Sequence, residues 1–136
     1  MKPVVQGNLF GCSLACIAFL LGKQYQEIIQ LVDKKRAQTR GFYCKDLVEL
    51  FFKLGLNYEY KYLKPRFRRK IYSDDVIVFI KRSKKYPNGH YLARLNGLWM
   101  DPWINFEQSA NIQNAKAGFR KRLPGKPIYG LFPIDI

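Results

Sequence analysis

One histidine, three cysteines and ten carboxylates are the means this chain of 136 residues has for acid–base or nucleophilic chemistry. Cys12 stands where an apolar run begins, in "VVQGNLFGCSLACIAFLLG", and Gln6 precedes it by six residues. A thiolate in the first turn of a helix lies near the positive end of the helix dipole, and the backbone amides of that turn have no intrahelical partner. Both a nucleophilic sulfur and an oxyanion are stabilised there, and Gln6 adds a side-chain N–H₂ for the same oxygen. Such a cysteine still needs a base, and the base needs a group to orient it.

The segment "HYLARLNGLWMDPW" supplies both. Asn-Gly between two strand-like runs is a strong signal for a two-residue hairpin. With Asn96 and Gly97 as the turn, Leu95 faces Leu98, Leu92 faces Asp101 and His90 faces Trp103, so residues 90–95 and 98–103 are expected to pair. His90, Leu92 and Arg94 then share a face with Trp99, Asp101 and Trp103. His90 and Asp101 become diagonal neighbours with Cα atoms about 7–8 Å apart, a gap that an imidazole and a carboxylate span. A carboxylate bound to one ring nitrogen holds the tautomer and leaves the other nitrogen free as a base. Taken singly, a cysteine in a buried helix or a histidine on a strand is usually structural. Gln6, Cys12, His90 and Asp101 together are better explained as a catalytic set.

These residues have to be positioned by the elements around them. Leu14–Leu21 is apolar on all sides, which predicts a helix buried all round and stopped by Gly22. A second helix is expected over Tyr25–Lys35, with Lys34, Lys35 and Arg36 in its last turn. A third is expected in "CKDLVELFFKLGL", where Leu47, Leu50, Phe51 and Leu54 form one stripe. The period then changes to two. "NYEYKYL" alternates Tyr58, Tyr60 and Tyr62 with charged residues, and "DVIVFI" reads as a central strand buried on both faces. "KPIYGLFPI" reads as a last strand whose prolines suggest a sheet edge. Helices first and strands later make an α+β domain, and the length suits one domain over residues 1–136.

Charge is the outlying property. Twenty-four Lys+Arg against ten Asp+Glu give a formal +14, which favours acidic partners. The runs "KPRFRRK" (64–70), "KRSKK" (81–85) and "RKR" (120–122) could form a nucleic-acid surface by electrostatics alone, although no recognised binding motif organises them. An odd number of cysteines argues against a disulfide framework and for a reducing compartment, the cytoplasm. Cys16, one turn below Cys12, and Cys44 are read as structural. Cys12, Cys16, Cys44 and His90 would make four zinc ligands in number, but there is no Cys-x-x-Cys knuckle. Trp99 and Trp103 either fill the core or wall a cleft. The apolar run is too short to span a membrane, and "GKQYQE" after it offers no signal-peptide cleavage site.

The stretches "QGNLFGCSLAC", "GFYCKDLVELFFKLGL" and "DDVIVFIKR…GHYLARL…WMDPW" resemble the papain-like cysteine peptidases, and within them the bacteriocin-processing (double-glycine leader) peptidases. The resemblance covers most of residues 4–103. It implies a papain-like fold with N-terminal helices packed on an antiparallel sheet. It also implies Cys12 as nucleophile, His90 as base, Asp101 as the orienting residue and Gln6 in the oxyanion hole. A thiol peptidase of this kind needs no cofactor or metal and acts on a peptide or protein; a substrate of acidic character would suit the charge. The pattern departs at Gly11, where many members carry an acidic residue, and at Ser13, where glycine is common. The competing expectation is a catalytically inactive basic module on the same fold, contacting nucleic acid or another acidic partner.

Overall fold

The computed structural model describes residues 1–135. Its elements are α1 (Cys12–Leu21), α2 (Tyr25–Ile29), α3 (Lys34–Thr39) and α4 (Cys44–Lys53), followed by strands β1 (Tyr58–Tyr62), β2 (Ile77–Ile80), β3 (His90–Leu95), β4 (Leu98–Asp101), β5 (Gly118–Arg120) and β6 (Pro127–Pro133). Short 3₁₀ helices occupy Pro65–Tyr72 and Ile112–Asn114. The strands form one antiparallel sheet in the order β1-β6-β2-β3-β4-β5.

The first helix follows the hydropathy of its sequence. Ser13 to Phe19 are all buried, and Gly22 closes the helix in the left-handed conformation at φ 66°. Its N–H bonds back to the carbonyls of Ala18 and Phe19. Leu14 and Ile17 are among the largest fully buried side chains, each contributing about 1.5–3 kcal/mol by removal from water. They join Leu47 and Phe51 of α4 and Ile77, Tyr91, Ala93, Met100 and Leu131 of the sheet in one core. Residues of opposite parity on the same strands, Val78, Ile80, Leu92 and Trp99, build a second core with Ile71 of the first 3₁₀ helix. The sheet is therefore covered on both faces, as the unbroken apolar run of β2 requires.

The hairpin has the expected register. Leu95 pairs with Leu98, Arg94 with Trp99 and Ala93 with Met100. Asn96 and Gly97 both take positive φ, 53° and 79°, as a turn with two left-handed residues demands. The ladder is shorter than expected, because β4 ends at Asp101 and Pro102-Trp103 leave the sheet in a turn. Proline has no N–H to continue the pairing.

Three expectations need correction. The helix expected over Tyr25–Lys35 is broken. The Asp33 side chain accepts from the Lys35 N–H and starts α3, so the basic run opens a helix instead of closing one. β6 lies inside the sheet, paired with β1 and β2, and its prolines stand only at its two ends, where ladder N–H groups matter least. In β1 only Tyr58 is buried, stacked on Phe51 of α4, whereas Tyr60 and Tyr62, further along this edge strand, are exposed.

Candidate active site

The segment before α1 brings Gln6 and Cys12 together. Gly11 is the N-cap of α1 and offers no side-chain cap. The Tyr25 hydroxyl, donating to Asn8 Oδ1 at 2.7 Å, occupies the space that a Cβ at Gly11 would need. That packing explains why no acidic side chain stands at position 11. Gln6 is buried and its Nε2 donates to the carbonyls of Asn8 (3.0 Å) and Leu9 (3.1 Å), folding residues 6–10 into a compact loop against the helix start. Its backbone N–H donates to the Pro102 carbonyl at 3.3 Å, tying the loop to the residue after Asp101. Gln6 Oε1 has no hydrogen-bond partner among the described residues.

His90 opens β3 directly after Gly89, whose φ of 75° only glycine adopts freely and whose missing Cβ leaves room for the Phe79 ring. Its Nε2 donates to Asp101 Oδ1 at 2.6 Å, leaving Nδ1 as the other ring nitrogen. Asp101 is fully buried, and its Oδ1 also accepts from the Trp103 N–H at 3.0 Å. Its Oδ2 accepts from Arg120 Nε at 2.7 Å. The Tyr86 ring stacks on the imidazole at 4.7 Å with an interplanar angle of 3°. Phe106 stacks behind Tyr86 and meets Trp103 edge-on, which encloses the His–Asp pair in aromatic side chains.

Electrostatics agree with the geometry. Burial alone would push the His90 ring toward neutrality, but the hydrogen bond to Asp101, with the Cys12 thiol and the charges of both partners, raises its pKa from 6.5 to about 9. Burial pushes the Asp101 carboxyl up. The bond and charge of His90, the Arg120 guanidinium and the Trp103 N–H outweigh it and bring the pKa down to about 2. At neutral pH the pair is an imidazolium beside a carboxylate.

Cys12, His90 and Gln6 line a single cavity of about 730 Å³, together with Cys44, Tyr91 and Trp103. Asp101 lies behind His90 and does not line it. A sulfur at a helix N-terminus, an imidazole fixed by a buried carboxylate and an amide side chain thus meet at one cavity, a set able to carry acyl transfer through a thioester. Cys16 is buried in the core with its thiol pushed well up by burial, and is structural. Cys44 is also pushed up by burial, but it faces the cavity and lies 3.7 Å from the Tyr91 hydroxyl, a more exposed setting than a core position. The two tryptophans divide: Trp99 fills the second core, and Trp103 walls the cavity. Among the described residues no group of three His, Cys, Asp or Glu side chains is placed to hold a metal ion.

Two residues at the site were not foreseen. Arg120 belongs to the run "RKR", which the sequence offers as part of a nucleic-acid surface, yet only its neighbours Lys121 and Arg122 are exposed, while Arg120 turns inward onto Asp101. Tyr86 carries no local signal. The clue available for Arg120 was general: a buried carboxylate in a chain with this cation excess attracts a cationic partner.

No family model matches the sequence, and no curated protein matches it. The structure is similar to the crystal structure of the peptidase domain of Streptococcus ComA, a bifunctional ABC transporter involved in a quorum-sensing pathway. The TM-score is 0.58 at 18% identity, covering 97% of this chain and 96% of that chain. At this identity the likeness concerns the α+β architecture of helices on a six-stranded antiparallel sheet. No helix among the described residues is long and apolar enough to cross a membrane.

Proposed function

We propose that the protein is a papain-like cysteine peptidase, one domain of the bacteriocin-processing type, that hydrolyses a peptide or protein through Cys12, His90 and Asp101. The observation that carries this reading is the convergence of the Cys12 thiol and His90, the latter backed by the buried Asp101, on one cavity at the N-terminus of α1. The fold likeness to a peptidase domain supports it.

The Cys12 thiolate attacks the carbonyl carbon of the scissile bond, and the carbonyl π pair moves onto oxygen. The Cys12 N–H, unpaired in the first turn, and one Gln6 Nε2–H turned from its loop carbonyl hold that oxyanion. His90 gives its proton to the amine nitrogen, the C–N bond breaks, and a thioester remains. His90, now neutral, takes a proton from water as the water attacks the thioester, and Cys12 leaves as thiolate. Asp101 stays ionised throughout and holds the imidazole in the required tautomer. The same chemistry serves related acyl transfers such as deamidation, and the free thiols suit a reducing, cytoplasmic setting.

The test is thiol reactivity followed by cleavage. At neutral pH iodoacetamide should label Cys12 well ahead of Cys44 and Cys16, as read by peptide mass mapping, and Cys12→Ala should abolish cleavage of a peptide library. Equal labelling of Cys12 and Cys44 would leave the inactive basic module as the better reading.

One observation favours a second surface on the same molecule. Lys61, Arg66 and Lys70 converge on the Phe67 ring at 4.8, 4.8 and 5.2 Å, beside the exposed Arg68 and Arg69. A nucleic acid bound there would release counterions. Its affinity should therefore fall by about 10³ between 50 and 200 mM salt if some six phosphates are contacted.

A further inference from the structure

Asp101 stands in the middle of three strands and is gripped from both sides. β3 brings His90 to it as a diagonal neighbour. On the other side β5 pairs Gly118 with Asp101 and Arg120 with Trp99, which makes Arg120 the opposite diagonal neighbour on the same face. Each oxygen has its own charged partner, Oδ1 from His90 and Oδ2 from Arg120.

We propose that Arg120 is a positioning residue of this site: its guanidinium fixes the Asp101 carboxylate so that Oδ1 is presented to His90, and through Asp101 it sets the plane of the imidazole. The consequence for catalysis rests on the peptidase reading, whereas the effect on the imidazole does not.

Nothing in an aspartate side chain fixes this orientation, because its terminal torsion is broad and two-fold. The neighbours must fix it. Arg120 does so as a planar fork, with Nε on Asp101 Oδ2 and Nη2 on the Ile104 carbonyl at 3.3 Å, which locks the carboxylate to the turn that follows it. The Trp103 N–H holds Oδ1 from that same turn. Asp101 is fully buried, so without Arg120 its Oδ2 would lose a charge-assisted bond at a place where solvent does not replace it. Arg120 is also the inward member of its basic run, with 21% of its side chain exposed. Tyr86 closes the frame. Its ring lies flat on the imidazole, and burial together with the charge of Asp101 pushes its hydroxyl up to about 12 against the opposing pull of Arg120, so it stays a neutral phenol.

His90 is the one histidine of the chain, so its ring nitrogens can be read by ¹⁵N NMR without assignment and without substrate. We expect the Nε2–H signal of the Asp101-bonded imidazole to be sharp in the wild type and broadened or lost in Arg120→Met. Cys12 alkylation should fall by about 10–100-fold in the same variant, by analogy with the loss of a residue that orients a metal-ligating histidine. Arg120→Lys, which keeps the charge and loses the fork, should fall between the two. In cleavage assays the loss should appear in kcat, with KM little changed. A wild-type imidazole spectrum and wild-type alkylation in Arg120→Met would overturn the proposal and make Arg120 a structural ion pair, even if the thermal midpoint drops. Should Arg120→Met fail to fold, Arg120→Lys is read the same way, and an imidazole signal identical to wild type overturns the proposal. Slow alkylation in the wild type, joined with an altered imidazole in the variant, would remove the peptidase reading and leave this one standing.

Discussion

Replacing Asp101 by asparagine changes one charge in the His90–Asp101 pair and should alter how stability depends on pH. His90 has its pKa raised from 6.5 to about 9 in the folded protein. A group whose folded pKa is raised contributes stability that is fully present below the unfolded value, and that contribution is lost as pH rises through the folded value. At 1.36 kcal/mol per unit the whole contribution is about 3 kcal/mol, of which roughly 1–2 kcal/mol disappears between pH 6.5 and 8. In Asp101→Asn the imidazole keeps the burial that disfavours its charge and loses the carboxylate that favours it, so this slope should vanish. The buried thiols of Cys16 and Cys44 also make stability fall at high pH, but they are common to both proteins and cancel in the difference. The assay is urea unfolding of wild type and variant at half-unit steps from pH 6 to 8.5, with the difference in unfolding free energy plotted against pH. A difference that stays constant across the window would refute the assignment of the His90 shift to Asp101. A lower overall stability of the variant would not, since Arg120 then faces no carboxylate.

Three further outcomes follow from the packing and the charge. Gly89→Ala should lose about 1–3 kcal/mol in denaturant unfolding and slow Cys12 alkylation, because a Cβ there meets the Phe79 ring at a strained φ next to His90; an unchanged midpoint counts against it. Gln6→Ala should leave alkylation close to wild type and cut peptide cleavage by about 10²–10³, since an alkylation has no oxyanion to hold; equal losses in both assays would make Gln6 a purely structural clamp. Charge reversal at Arg66, Arg68 and Arg69 together should abolish salt-sensitive polyanion binding without changing Cys12 labelling. Slower labelling would place that face beside the cavity.

How far the site could be read in advance depends on how local its determinants are. The helix beginning at Cys12 was legible because its apolar run and Gly22 act within one segment. The Asn96-Gly97 turn was legible for the same reason, and its register then put His90 and Asp101 on one face without any knowledge of the rest of the fold. The break between α2 and α3 was missed because a cap at Asp33 competes with a helix pattern that would otherwise continue, and the balance is a few tenths of a kcal/mol to about 2 kcal/mol. The interior place of β6 was missed because its partners, β1 and β2, lie some 50–70 residues earlier, and terminal prolines do not distinguish an edge from an interior strand.

By itself, then, the order of residues determined the helices that begin at Cys12 and Cys44, where the hairpin turns, and that the lone imidazole and Asp101 are strand neighbours. These follow from hydrophobic period, glycine at positive φ and the two-residue alternation of a strand, all short-range along the chain. Only the tertiary structure decided that Cys12 and His90 open on one cavity and that Gln6 is folded back on its own loop carbonyls. It also decided that, of three cations in "RKR", Arg120 alone turns to Asp101. Those outcomes depend on which strand lies beside β4 and on where α1 is packed. They are settled by burying two cores at once across one sheet, a condition on the whole chain that no single segment carries.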